Sequence, residues 1–151
     1  MSQPFYFDDY VVGDHHRAMS YQLEKQEVID FAKKWDPQPW HIDEEAAKAS
    51  IFGGLTACSA QLFSIACITS QQWESGVVQQ AVASLGFDEM RMHKPVYAGD
   101  IVQCTSTVEL ARISKSNGDR GVVACRCELS NQHGERVYSM LSSFLVARKS
   151  A

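Results

Sequence analysis

Residues 55–73, LTACSAQLFSIACITSQQW, decide the fold. They are the longest apolar segment of a 151-residue chain. Leu55, Cys58, Leu62, Ile65, Ala66, Thr69 and Trp73 form one stripe at helical spacing, and Ala60, Phe63 and Cys67 widen it. A helix that is apolar on most of its sides is a buried helix. The length of the run and its alanines exclude a strand, and Glu74-Ser75-Gly76 ends it.

Downstream the pattern turns to β. Residues 81–92 read as a strand broken by Gly86, and 93–100, HKPVYAGD, hold turn punctuation. The runs 101–113, 121–130 and 136–147 are long, alternating and β-rich. Ser116-Asn117-Gly118-Asp119 and Asn131-Gln132-His133-Gly134 join them, and such short joints predict antiparallel hairpins. One buried helix followed by antiparallel strands predicts a single α+β domain over residues 1–151, with the sheet wrapped around the helix at about 55–73. Residues 5–14 read as an extended lead-in with a turn. Residues 27–35 read as a short helix with Val28, Phe31, Ala32 and Trp35 on its core face.

The stretch between these two helices carries the chemistry. Residues 31–59 are FAKKWDPQPWHIDEEAAKASIFGGLTACS, with Asp36 and His41 five residues apart. Proline fixes its own φ and drives the preceding residue out of the helical region. Asp36 is therefore expected to close a helix, and Pro37 to Trp40 to form a stiff loop returning at His41. Asp43 is a good N-cap for a further helix, with Glu44 and Glu45 in its first turn and a stop near Phe52-Gly53-Gly54. A carboxylate and an imidazole held on one rigid loop suggest an acid–base site.

The same residues resemble the hydratase-2 signature of the MaoC-like (R)-specific enoyl-CoA hydratases. That signature runs Phe-Ala, Asp-x-Asn-Pro-x-His-x-Asp, Ala, Phe-Gly-Gly and Ala-His-Gly. This chain has Phe31-Ala32, Asp36-Pro37-Gln38-Pro39-Trp40-His41-Ile42-Asp43, Ala46, Phe52-Gly53-Gly54 and Ala57-Cys58-Ser59. It departs at Lys34-Trp35, at Gln38 and at Cys58-Ser59. Pro95-Val96 with Gly99-Asp100 resembles the turn that precedes the long strands of these proteins. The resemblance implies the hot-dog fold, a first strand at 16–23 and an acyl-thioester hydratase or dehydratase.

Adding water to a trans-2-enoyl thioester needs a base, an acid and a donor for the thioester oxyanion. A carboxylate only accepts hydrogen bonds, whereas imidazole donates or accepts near neutral pH, so Asp36 and His41 suit the first two roles. Backbone N–H groups at the start of the 55–73 helix suit the third. In the resembling family the donor is the amide of the Gly in the His-Gly pair, which falls on Ser59 here. Gly53 and Gly54 permit close approach of a thioester. Trp40 either lines an acyl pocket or packs. The substrate is expected to be an acyl-CoA or an acyl carrier protein thioester, with no cofactor beyond coenzyme A as part of the substrate. Two other readings stay open: an acyl-CoA thioesterase on the same fold, in which Asp36 directs water at the carbonyl, and a non-catalytic acyl-thioester binding module.

Composition narrows the field. Hydrophobic residues make up 45% and charged residues 21%, an ordinary globular balance. A net charge of −4 gives no electrostatic case for nucleic acid. Neither a signal peptide nor an apolar run long enough to span a membrane is visible, so a cytoplasmic protein is expected. The five cysteines, Cys58, Cys67, Cys104, Cys125 and Cys127, have no CxxC spacing and are expected to be reduced core residues, with no metal site. No base is placed beside Cys58 to make it a nucleophile. His93 and His133 are expected in solvated turns, and Arg91, Lys94, Arg112 and Lys115 read as surface charge. The β-rich sheet must end in edges that invite pairing, and the resembling family joins two such domains into a two-fold dimer with the acyl tunnel at the seam. A homodimer, or an assembly of dimers, is the expected state.

Overall fold

A computed structural model describes residues 2–150. In chain order the elements are β1 (Pro4–Phe5), β2 (His15–Gln22), α1 (Lys25–Trp35), α2 (Pro39–Ile42), α3 (Glu44–Ala49), α4 (Ser59–Ser70), β3 (Val78–Gln79), β4 (Ala81–Met92), β5 (Ile101–Ile113), β6 (Arg120–Ser130) and β7 (Arg136–Ala147). A five-stranded antiparallel sheet has the order β2-β5-β6-β7-β4, and β1 and β3 form a short parallel pair.

The helix of the apolar stripe is the centre of this arrangement. Leu55, Cys58, Leu62, Ile65, Ala66, Thr69 and Trp73 are all buried. Leu55, Leu62, Ile65, Ala66 and Trp73 share one core with Val102, Cys104 and Val108 of β5, with Val123, Cys125, Cys127 and Leu129 of β6, and with Met140 of β7. On β5 the buried residues alternate, as they must on a strand with one face on a helix. The sheet wraps one buried helix, which is the hot-dog fold.

The helix is shorter than the stripe. Leu55 lies outside the helix, Thr56 is bridged to Tyr97, and Cys58 caps α4 at φ −73° and ψ 158°. After Ser70 the chain turns, and Trp73 is bridged to Ala18 of β2. Sequence periodicity could not separate these flanks from the helix, because they are buried on the same side.

Other expectations are corrected. Trp35 is not core: it is 62% exposed at the last turn of α1, with the Lys34 ammonium 5.0 Å from its ring centroid. Val28 and Ala32 alone carry the buried face of that helix. The loop expected over Pro37 to Trp40 is partly helical, because Pro39 opens the single turn α2 in the first-turn position that suits proline. Helix α3 starts as expected, with the Asp43 carboxylate accepting the Ala46 N–H at 2.8 Å. It stops at Ala49, before Phe52, where the Ser50 hydroxyl donates to the Ala47 carbonyl. The lead-in contains a turn of 3-10 helix at Phe7–Asp9. Phe7 lies so close to Gly121 of β6 that a Cβ there would clash with its ring, which is why that strand position is glycine.

Strand β4 is continuous through Gly86, with a register shift between Ser84 and Gly86. It is an edge strand, and almost every residue along it is exposed, including Val82, Leu85, Met90 and Met92. Among the described residues no helix is long and apolar enough to cross a membrane.

Candidate active site

The site is assembled by three short helical ends. Asp36 is the C-cap of α1, and its N–H donates to the Ala32 carbonyl at 2.8 Å. Pro37 forces the chain out of helix there. His41 lies on α2, two residues after Pro39, and is 8% exposed. His41 Nε2 is 3.9 Å from Asp36 Oδ2, so the two groups expected to act together stand side by side. Ser59 opens α4 directly after its cap, where helix geometry leaves the backbone N–H without an intrahelical acceptor. Asp36, Trp40, His41, Phe52, Ser59 and His93 line one cavity of about 330 Å³.

The orientation of His41 is set by hydrogen bonds. Its Nδ1 is 2.6 Å from the Thr56 carbonyl oxygen and 3.2 Å from the Thr56 hydroxyl. A carbonyl accepts only, so Nδ1 carries the hydrogen and donates. The indole N–H of Trp40 donates to Nε2 at 3.1 Å. Trp40 also packs at 6.3 Å, centroid to centroid, against Phe52, whose carbonyl accepts the Tyr97 hydroxyl. Trp40 is thus both on the cavity wall and bonded to the imidazole.

The remaining candidates fall elsewhere. Gly53 has φ +67°, a turn conformation that glycine adopts freely, and Gly54 faces the Tyr97 ring in a different cavity. Cys58 is fully buried, and burial pushes its thiol up, with the Asp36 charge adding to the effect. A nucleophilic thiolate is disfavoured there. Burial likewise raises Cys104 and Cys125 to about 11, as expected of packed thiols. His133 and His93 are both exposed, as expected, and His93 also borders the cavity, with its Nε2 2.7 Å from the Ser139 hydroxyl. Lys94, beside it, is paired with Glu135. Among the described residues no group of three or more His, Cys, Asp or Glu is placed to hold a metal.

Thr56 and His93 are the site residues that sequence reasoning missed. The Thr56 contribution is a carbonyl oxygen, which no side-chain pattern signals. His93 enters because β4 pairs with β7, bringing position 93 next to Ser139.

Two further cavities follow α4 away from the pair. One, of about 340 Å³, shares Ser59 and Met92 with the first and is lined by Phe63. The other, of about 450 Å³, lies along Cys67 and Ser70 and reaches Phe87, Met140 and Phe144. The rings of Phe63 and Phe87 meet edge to face at 4.8 Å between them.

A sheet wrapped on one helix, with a carboxylate and an imidazole at that helix's N-terminus, defines the class of MaoC-like hot-dog dehydratases and hydratases. Residues 10–140 match the family described as FAS1-like, dehydratase domain region, and the chain belongs to it. It is similar to a MaoC-like dehydratase of Rhodospirillum rubrum, with a TM-score of 0.84 and 30% identity over 97% of this chain and 99% of that one. It is 33% identical over 138 residues to a UPF0336 protein of Streptomyces avermitilis, covering 85% of each. It is 42% identical over 69 residues to a mesaconyl-CoA hydratase of Cereibacter sphaeroides, a match that spans 46% of this chain and 20% of that protein.

Proposed function

We propose that the protein adds water to a trans-2-enoyl thioester, carried on coenzyme A or on acyl carrier protein, to give the 3-hydroxyacyl thioester, or catalyses the reverse dehydration. The observation that carries this reading is the 3.9 Å approach of His41 Nε2 and Asp36 Oδ2 on a cavity wall that also holds Ser59 at the start of α4. The hydratase among the similar proteins supports the reaction class.

The roles follow from donor and acceptor chemistry. With the hydrogen on Nδ1, Nε2 is the basic nitrogen. A water held by the Asp36 carboxylate and Nε2 gives a proton to Nε2 as its oxygen attacks Cβ. The imidazolium returns a proton to Cα, so the pair ends as it began. Asp36 holds the water and stabilises the transient imidazolium. General acid–base catalysis of this kind contributes about 10²–10⁴-fold. The Ser59 N–H and the positive end of α4 stabilise the negative thioester oxygen between these steps.

The acyl chain has a path along α4. Ser59 to Cys67 is eight residues, about 12 Å at the helical rise of 1.5 Å per residue. The Phe63–Phe87 pair stands on that path. The exposed edge β4 supports a homodimer through this strand.

The test is an assay with crotonyl-CoA that follows loss of the enoyl absorbance and release of free thiol in parallel. Hydration without thiol release is expected. Thiol release without hydration would make the protein a thioesterase, and neither signal across short, medium and long enoyl-CoAs would leave a binding module.

A further inference from the structure

We infer that Trp40 is a positioning residue that competes with the reacting water for His41 Nε2, so that turnover requires its indole to let go. The role in turnover rests on the hydratase reading above; the bond itself does not.

A neutral imidazole has one donor and one acceptor nitrogen. The donor is settled by the Thr56 carbonyl, 2.6 Å from Nδ1. The acceptor is settled independently by Trp40, because an indole N–H only donates and stands 3.1 Å from Nε2. Both contacts select the same tautomer. They also commit the single lone pair of Nε2 to the indole. A proton placed on that nitrogen would face the indole N–H, donor against donor. His41 can therefore accept a proton from water only after the Trp40 bond breaks.

The surroundings allow that movement. Trp40 is half-buried on the wall of the 330 Å³ cavity, with open space on one side and Phe52 on the other. Its backbone stays fixed, because Pro39 sets the turn and the Trp40 carbonyl accepts the Thr56 N–H at 3.4 Å. Only the side chain has to rotate. The Asp36 carboxylate, 3.9 Å from Nε2, is placed to receive the water that replaces the indole. Trp40 thus keeps the imidazole aimed and its Nε2 lone pair occupied until a hydroxyl or water displaces the indole.

The direct test is NMR on the uniformly ¹⁵N-labelled full chain. A nitrogen–nitrogen coupling across the hydrogen bond, between Trp40 Nε1 and His41 Nε2, is expected in the protein alone. It should vanish on saturation with 3-hydroxybutyryl-CoA, whose hydroxyl takes the place of the water. In Trp40→Phe the Nε2 resonance should move toward that of a free pyridine-type nitrogen, while Nδ1 keeps its proton. Because one modest hydrogen bond no longer has to be broken, kcat/KM for crotonyl-CoA should rise about two- to tenfold. No coupling in the wild-type chain overturns the inference, as does a coupling that survives saturation. A Trp40→Phe protein with lower kcat/KM and an unmoved Nε2 resonance does the same. If wild type hydrates no enoyl-CoA, the catalytic reading fails, and the coupling still decides whether the indole holds Nε2. If Trp40→Phe does not fold, the wild-type coupling and its response to 3-hydroxybutyryl-CoA decide.

Discussion

His41 Nδ1 lies 2.6 Å from the carbonyl oxygen of Thr56, 15 residues further along the chain. That contact decides which end of the ring can do acid–base chemistry. It puts the hydrogen on Nδ1 and turns Nε2 toward Asp36. Thr56 is itself held at Tyr97 by a bridge just before the long strands begin. The orientation of the imidazole is thereby tied to the turn that leads into β5 and not only to its own short helix.

Asp36→Asn and His41→Gln are each expected to lower kcat for enoyl-CoA hydration by about a hundredfold or more, because each deletes an acid–base group. Asn matches Asp in shape and Gln is a neutral polar side chain of similar reach to His, so the circular dichroism spectrum should stay that of the parent. Near-normal turnover in either variant removes that residue from the mechanism.

Ser59 gives a sharper test in the structure than in the sequence. It is the first residue of α4, the position where proline is tolerated, and Cys58 before it already has the extended conformation that a following proline demands. Ser59→Pro should therefore keep the helix while deleting the N–H proposed for the oxyanion. A loss of about 10²–10³-fold in kcat is expected, against little change for Ser59→Ala. Equal loss in both would assign the role to the hydroxyl, and full activity in the proline variant would sink the backbone donor.

The strands 101–113, 121–130 and 136–147 were legible because long alternating runs between turn residues have one reading, and each lies where expected to within a residue. The buried stripe was legible because a central helix must show apolar residues at helical spacing. Its flanks were not, since Leu55 and Trp73 are buried for reasons of tertiary packing that do not depend on helical geometry. Trp35 was misread on the same principle, because an aromatic residue at core spacing on a helix need not be covered at the helix end. Within the site, Asp36 and His41 were visible as a pair flanking two prolines. The Thr56 carbonyl and the Trp40 N–H were invisible, because they depend on how the turn α2 aims a ring. The 3.9 Å separation depends on the same geometry.

His16 is expected to make folding weaker in acid. Its ring stacks on Trp73 at 3.8 Å, and its Nε2 has no hydrogen-bond partner among the described residues. Burial lowers its pKa, with His15 acting in the same direction and Asp14 opposing. A group that binds its proton more weakly when folded lets the unfolded chain take up more protons. Stability is then lost as pH falls through the ordinary histidine value of about 6.5 toward the lower folded value. His16→Phe keeps a ring on Trp73 and removes the titration. Thermal melts from pH 8 to 5 should show the wild type losing Tm relative to the variant below about pH 6.5. Parallel curves would show that His16 does not contribute.

The edge strand gives the last prediction. Strand β4 ends the five-stranded sheet, and along it Val82 is 54% and Leu85 55% exposed, with Met90 and Met92 also in solvent. A long edge with apolar side chains and free backbone groups is a template for a further strand. A two-fold axis beside β4 would pair it with its own copy and continue the sheet across both chains. The cavities along α4 that reach Phe87, Met90 and Met92 lie against this strand, so the partner would cover them. Light scattering should therefore give twice the mass of one chain at low concentration. Val82→Lys combined with Leu85→Lys places two charges on the edge and should yield the single-chain mass, with a raised KM for long-chain enoyl-CoAs. Short-chain substrates should suffer less, because Asp36, His41 and Ser59 all come from one chain. A wild type that is monomeric and fully active would show that the acyl path needs no partner. A double-lysine variant that stays dimeric would move the interface to another edge.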